Sequence, residues 1–300
     1  MRTVVTGARG RLGGEVAEAL ERRGHVVLRH CGRKQFDLAD AERVLAFVRE
    51  GKPTAIVHCA ARTDSEACER DPSGAERDNV AATAALLDAA LRTGAYFLYL
   101  STAFVFDGIK RQPYHEDDAP HAQSVYAKTK RAGEEAVQAS EGRWAVVRSD
   151  WLYGVRGSSF PKMMLTQANA GEACRLVADE VGSPTYVPDL AEALSDLVEE
   201  RERGVFHLTN AGSCSPAQWA ETLFEMAGLN AQVERVTHQQ LTDELARAPR
   251  PAYHALTSRR WAQTGHAPLR PWQAALADFL ERTLGGSTPR VTGPASRTRV

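Results

Sequence analysis

The chain has 300 residues, with 37 basic and 38 acidic side chains and a formal net charge of −1. So even a balance leaves no electrostatic footprint for nucleic acid or an anionic membrane, and no apolar run reaches the ~18–20 residues of a membrane span. Five cysteines (Cys31, Cys59, Cys68, Cys174 and Cys214) are scattered and odd in number, which points to a reducing cytoplasmic setting and away from a disulfide frame or a zinc site.

The amino terminus opens on a short β-branched run, Arg2 to Thr6, without the layout of a signal peptide. Gly7, Gly10 and Gly13 follow. Leu12, Val16 and Leu20 then recur at helical spacing, and Gly24 closes the element. A glycine-rich turn between strand and helix is the context a dinucleotide demands. The glycines let the backbone approach a pyrophosphate, and the helix start supplies N–H groups and partial positive charge. Gly7, Arg9, Gly10, Arg11 and Leu12 are therefore candidate cofactor contacts, with a plain βα turn as the alternative.

His25 to Leu28 reads as the second strand. About 20 residues past the glycines an NAD site places an acid on the ribose hydroxyls. Here that region is Arg29, His30, Cys31, Gly32, Arg33 and Lys34. This basic cluster, led by Arg33 and Lys34, favours the 2′-phosphate of NADPH, with NADH left open. Asp37 is the ribose acid only if the second strand runs beyond Leu28. Asp40 looks like the N-cap of a helix carrying Val44, Leu45 and Val48, and Ala55 to Cys59 reads as a third strand. Ala60 and Ala61, just after it, would let the backbone pass close to a cofactor.

Val80, Ala84, Leu87 and Leu91 mark a further helix ending at Gly94, before a buried strand from Tyr96 to Leu100. Tyr126 to Glu135 is helical, and Trp144 to Arg148 is the next strand. Strands that alternate with helices and are apolar on both faces specify a parallel sheet covered on both sides. The fold class is α/β, a Rossmann-type doubly wound sheet. On the helix, Tyr126 and Lys130 are four residues apart and share a face. A phenol beside an ammonium is a proton donor whose anion is stabilised by fixed positive charge. Thr102 can offer the same substrate oxygen a second hydrogen bond. Alone, this spacing fits a surface lysine lying along a half-buried tyrosine equally well.

Beyond Arg148 the regularity loosens. Helical stretches are expected at 162–168, from Pro188 to about Glu200, at Pro216 to Ala227 and at Arg270 to Leu284, with strands near Leu176 and at Val205 to Leu208. The expected organisation is a cofactor domain over 1–150 with a return segment at about 176–205. A smaller substrate lobe would comprise 151–175 and 206–284, and 285–300 would be a disordered tail.

Several stretches taken together resemble one family. They are Gly7 to Gly13, Asp37 to Asp40, His58 to Thr63, Asn79 to Ala82, Ser101 to Gly108, Tyr126 to Lys130 with Gly133 and Glu134, Arg148 to Gly154, and Asp179 to Thr185. The set is similar to the dTDP-4-dehydrorhamnose reductases, extended short-chain dehydrogenases. The resemblance implies NADPH-dependent reduction of the 4-keto group of a nucleotide-linked deoxysugar. It implies that Tyr126 protonates the oxygen, that Lys130 holds the nicotinamide ribose and lowers the Tyr126 pKa, and that Thr102 shares the carbonyl oxygen. It further implies Asp37 and Leu38 beneath the adenine. Substrate contacts would come from Thr102, Ala103, Val105, Phe106, Tyr126, Trp151 and Phe160.

The chain departs from the family pattern Ser-Thr-Asp-Tyr-Val-Phe-Asp-Gly at Ala103 and Phe104. Glu180 stands where Gln is usual, and Arg62 where an aromatic is usual. These departures point to a modified sugar, such as one from an antibiotic pathway, or to another ketone. Two other readings stay open. One is a non-catalytic NADP-holding subunit resembling the β subunit of methionine adenosyltransferase. The other is a sugar-nucleotide epimerase or dehydratase, which Ala103 disfavours because a dehydratase needs an acid there. The expected partners are a nucleotide-sugar or other small ketone, with a homodimer open, and neither nucleic acid nor membrane.

Overall fold

The computed structural model describes residues 1–245 and 248–285, so the expected tail, Gly285 apart, lies outside the described residues. Among the described residues, ten strands occur in chain order: β1 Arg2–Thr6, β2 Val26–His30, β3 Ala55–His58, β4 Tyr96–Thr102, β5 Trp144–Ser149, β6 Leu152–Tyr153, β7 Cys174–Val177, β8 Thr185–Tyr186, β9 Gly204–His207 and β10 Val233–Val236. Six of them form one all-parallel sheet in the order β2-β1-β3-β4-β5-β9. This is the expected doubly wound α/β fold.

Every residue of β3, β4 and β5 is buried, and strands apolar on both faces need helices on both. On one face, Leu12, Val16 and Leu20 of helix Arg11–Arg22 join Leu190 and Leu194 of helix Val187–Glu200 over Val5, Leu98 and Val147. On the other, Val44, Val48, Leu86 and Val137 cover Val4, Ile56, Phe97 and Tyr99. Asp40 caps its helix as expected, accepting from Arg43 N at 3.1 Å.

The strands run further at their carboxyl ends than their apolar runs suggest, β2 to His30, β4 to Thr102 and β5 to Ser149. Polar side chains there do not stop backbone pairing, and Thr102 faces Ser149 in register. The chain leaves β1 for β2 on one side and returns to β3 on the other. The connections leaving the carboxyl ends of β1 and β3 therefore go to opposite faces and open a crevice, the usual ligand position in such sheets.

β7 pairs with β10 and β6 with β8, away from the large sheet, so the return to that sheet is made by helix Val187–Glu200 and β9. A separate core of Tyr153, Trp219, Leu223, Phe224, Leu276 and Phe279 underlies this second region. Among the described residues, no helix is long and apolar enough to cross a membrane.

Helix Val125–Gln138 is fastened to β5 by a bidentate ion pair. Arg148 Nε and Nη2 each donate to Glu134 at 2.8 Å, with both side chains almost wholly buried. Truncating one partner strands a buried charge, at a cost of about 3–5 kcal/mol. Glu134→Ala should therefore lower the urea-unfolding free energy by about that amount. Glu135→Ala, which breaks only an exposed pair with Arg131, should cost less than about 1 kcal/mol in the same titration.

Candidate active site

Gly7 sits in the left-handed region at φ +66°, and a Cβ there would come within 3.0 Å of the Ala60 backbone. A Cβ on Gly13 would lie 2.4 Å from the Gly7 carbonyl oxygen. The first helix is thus packed directly onto its loop, which itself abuts the end of β3. Gly10 begins helix Arg11–Arg22 without a side-chain cap or an acid in the first turn, leaving N–H groups suited to an anion. Arg11 has another task. Its guanidinium donates to the carbonyls of Leu152 (2.5 Å) and Ser158, tying the loop to the segment after β5. Leu12 is buried in the core, while Arg9 is exposed on the loop.

A cavity of about 500 Å³ lies at the ends of β2 and β3, lined among others by Arg33, Asp37, Leu38, Ala60, Ala61 and Arg62. It gathers five of the expected cofactor residues, and Lys34 stays exposed outside this lining. Each arginine here already holds an acid: Arg33 with Asp78, Arg77 with Asp37, and Arg62 with Asp71. The second strand does run beyond Leu28. Even so, Asp37 is engaged at both oxygens, accepting from Ala39 N at 3.0 Å and from Arg77. The amide bond, with the Arg77 charge, holds its carboxyl below the ordinary range. Asn79 pins the loop after β3. It accepts from Arg62 N at 2.7 Å and donates to Arg62 O at 3.1 Å and to Thr129 on the Tyr126 helix at 2.9 Å.

The candidate catalytic residues Thr102, Tyr126 and Lys130 lie at the end of β4 and on the helix packed against it. Ser124 caps helix Val125–Gln138 through Ala127 N, and Gly133 lets that helix touch β4, since a Cβ there would lie 2.2 Å from the Tyr99 hydroxyl. Lys130 is 3% exposed, with Nζ 4.1 Å from the centre of the Tyr99 ring. It is not a surface lysine. Burial drives its pKa down to about 7, against the pull of Glu134 and Cys59. Burial pushes the Tyr126 phenol up to about 12, opposed by a hydrogen bond with Thr102. The expected lowering of the Tyr126 pKa by Lys130 is therefore not found in the protein alone. Desolvation dominates the Tyr126 shift, to which Lys130 makes no resolved contribution, and burial also weakens the lysine's own charge.

An aromatic wall adjoins this centre. The Phe104 ring meets Tyr126 edge-on at 6.4 Å and His254 at 4.9 Å. Trp151 meets His254 at 5.1 Å and stacks on Trp219 at 5.8 Å, and Trp219 stacks in turn on Phe160 at 4.8 Å. A second cavity, of about 270 Å³, is lined by Trp151, Phe160, Trp219, Glu180 and Arg250, among others. Trp151 and Phe160 are thus brought together as expected. Ala103, Val105 and Phe106 are not, because their side chains are fully buried in a cluster with Tyr114 and Leu256. The 3₁₀ turn Ala103–Val105 aims its first and last residues inward, leaving Phe104 as its partly exposed member. Phe106 lies stacked on Tyr114 at 4.1 Å.

Asp150, Trp219 and His254 escape the sequence reading as site residues, and Phe104 enters it only as a departure from the family pattern. Asp150 and His254 are 104 residues apart in the chain and meet only through the fold. Glu180, notable in the sequence as a departure, is their neighbour.

Residues 1–284 match the family model described as the RmlD substrate binding domain. The chain belongs to this family. This RmlD-family chain is 38% identical over 290 residues to the dTDP-4-dehydrorhamnose reductase of Mycolicibacterium smegmatis, covering 96% of itself and 87% of that protein. It is 35% identical over 291 residues to a probable dTDP-4,6-dihydroxy-2-methyloxan-3-one 4-ketoreductase of Streptomyces antibioticus, covering 96% and 98%. The crystal structure of a Bacillus anthracis dTDP-4-dehydrorhamnose reductase in complex with NADP matches it with a TM-score of 0.88 at 31% identity, covering 94% of this chain and 99% of that one.

The buried lysine generates a pH signature in this family member. An unfolded lysine titrates near ~10.4, whereas Lys130 titrates near 7 in the fold. Between those values the unfolded chain binds more protons, so this group's contribution to stability rises with pH. Lys130→Met should consequently stabilise the fold at pH 7 and below. The gain should shrink toward pH ~10, as read from urea titrations across that range.

Proposed function

We propose that the chain is an NADPH-dependent oxidoreductase that reduces the 4-keto group of a dTDP-linked deoxysugar. One observation carries the reading: Tyr126 is hydrogen-bonded to Thr102 at the end of β4, and Lys130, one helical turn on, is buried against Tyr99 of the same strand. The names of the relatives in M. smegmatis and S. antibioticus support a ketoreductase, over a non-catalytic subunit or an epimerase. The NADP held by the B. anthracis structure supports the cofactor.

The residues present fit a dinucleotide. The Gly7 turn and the uncapped helix start suit a pyrophosphate, and Ala60 and Ala61 leave room beside them. Arg33 and Lys34 would take the 2′-phosphate, Arg33 by exchanging Asp78 for a doubly charged partner. When bound, the reduced nicotinamide supplies the hydride. Everything else falls to the chain. Tyr126 and Thr102 hydrogen-bond the ketone oxygen. A phenol held near 12 keeps its proton against water and releases it only to an oxygen that has gained negative charge. Lys130 regains full charge when an anion stands beside it, so its stabilisation arrives with the reaction.

The sugar meets rings. Phe104, Trp151, Phe160 and Trp219 offer apolar faces, and polar groups, Glu180 and Arg250 among them, share the cavity that the last three line. With Ala103 turned into the core, the wall beside the reacting carbon suits deoxy or methyl-bearing ring positions. A modified deoxysugar fits this wall better than a fully hydroxylated one.

NADPH oxidation with a panel of dTDP-4-keto-6-deoxysugars tests the reading. Turnover of at least one is expected, and tight NADPH binding with no turnover of any would overturn it. Tyr126→Phe should lower kcat by about 10²–10⁴ with NADPH affinity nearly unchanged. Persisting activity would name a different proton donor. Arg33→Ala with Lys34→Ala should weaken NADPH about tenfold more than NADH, and equal losses would remove both residues from the phosphate.

A further inference from the structure

One buried charged cluster remains outside the proton chemistry. His254 is completely buried, with Nδ1 2.8 Å from Asp150 Oδ2 and Nε2 3.4 Å from Glu180 Oε1. Asp150 follows β5 and Glu180 follows β7. His254 is held to the latter segment by its backbone N–H, which donates to Val181 O at 2.8 Å. Gly182 makes room for the cluster, since a Cβ there would lie 2.3 Å from His254 Cε1 and 2.7 Å from Asp150 Oδ2.

Both ring nitrogens face carboxylates, and only an imidazolium donates from both. Burial alone would lower the His254 pKa, but Asp150 and Glu180 outweigh it and raise the value to about 9. The surrounding charges are consistent with this. Behind Glu180 stand His238, with Nδ1 at 3.2 Å, and the Arg250 charge. Behind Asp150 lie Tyr126 and the Cys214 thiol, both held protonated by burial.

The cluster reaches the aromatic wall by two routes. Asp150 Oδ1 accepts from Trp151 N at 3.0 Å, and Oδ2 accepts from Ser183 N at 2.7 Å as well as from His254. This network holds Trp151 at φ +36°, a conformation costly for an aromatic residue unless its surroundings enforce it. The His254 ring also lies edge-on against both Trp151 and Phe104.

We propose that His254 is a positioning residue: clamped between Asp150 and Glu180, it fixes Trp151 and Phe104 and so sets how tightly the sugar is held. The inference rests on the reading of this site as a sugar-nucleotide ketoreductase.

Its test compares the wild type with Glu180→Gln/His254→Gln, which removes one charge of each sign and leaves Asp150 its hydrogen bonds from Trp151 N and Ser183 N. NADPH affinity should be nearly unchanged, while KM for the dTDP-4-keto sugar rises about tenfold or more, because small misplacements of a binding wall are costly. The ratio of wild-type to variant kcat/KM should fall as pH rises through 9, where His254 loses its proton. The ratio cancels titrations common to both proteins. An unchanged KM, or a ratio independent of pH, overturns the inference. If the variant does not fold, ¹⁵N NMR of the wild-type imidazoles decides. A His254 protonated on both nitrogens at pH 7.5, with its midpoint near 9, supports the clamp, and a neutral ring sinks it. Wild-type protein that turns over no dTDP-4-keto sugar overturns the underlying reading instead, so the two failures are distinct.

Discussion

The placement of the candidate catalytic residues depends on one buried bond, the bidentate grip of Arg148 on Glu134. Glu134 lies one helical turn beyond Lys130 and two beyond Tyr126. Arg148 precedes Ser149, the residue that faces Thr102 across the β4–β5 ladder. The parallel register fixes one strand against the other, and the ion pair fixes the helix against the strand. Tyr99 adds the depth, donating to Lys130 O at 3.3 Å and filling the space that Gly133 leaves. A pair so deeply buried contributes little net stability, because desolvation consumes most of the Coulomb gain. Its value lies in allowing one position only. The Phe106 ring, 5.1 Å from the Arg148 guanidinium, helps keep that position dry.

The same dryness governs the proton chemistry. A lysine near 7 and a tyrosine near 12 both favour the uncharged form. At neutral pH the tyrosine keeps its proton and the lysine is only partly charged. In the proposed reaction, the low dielectric that suppresses the lysine's charge would strengthen its attraction to a substrate oxygen that turns negative. The simpler picture, in which a permanently charged Lys130 acidifies Tyr126, omits the desolvation that both groups undergo on entering the fold.

Most of the scaffold was legible because its signals are local. Apolar runs, the Gly7–Gly13 turn, the Asp40 cap and the four-residue step from Tyr126 to Lys130 each announce themselves within a few residues. Strand ends were read short at Leu28, Leu100 and Arg148, since hydrophobicity fades there while backbone pairing continues. The substrate wall was read less well. Ala103, Val105 and Phe106 were assigned to it by motif position, but a single 3₁₀ turn reverses which side chains face outward and gives the place to Phe104. The His254 cluster showed in the sequence only as Glu180, a departure from the family pattern, with nothing to link it to Asp150 or His254. Its three members meet only after β5, β7 and the 252–254 segment have been brought side by side.

Charge is managed differently at the two ends of the site. Around the cofactor crevice, Arg33, Arg62 and Arg77 each hold an aspartate, and all six side chains are at least partly exposed. Such pairs are cheap to exchange, because water and salt have already reduced their worth. An incoming phosphate need only offer a better partner than one carboxylate. A cofactor that must enter and leave at every turnover calls for that economy. On the sugar side, Asp150, His254 and Glu180 are buried and bound to one another. Breaking either bond there strands a charge in a medium that cannot solvate it. That end of the site is consequently rigid, as a wall of rings would have to be to discriminate between sugars in the proposed reaction.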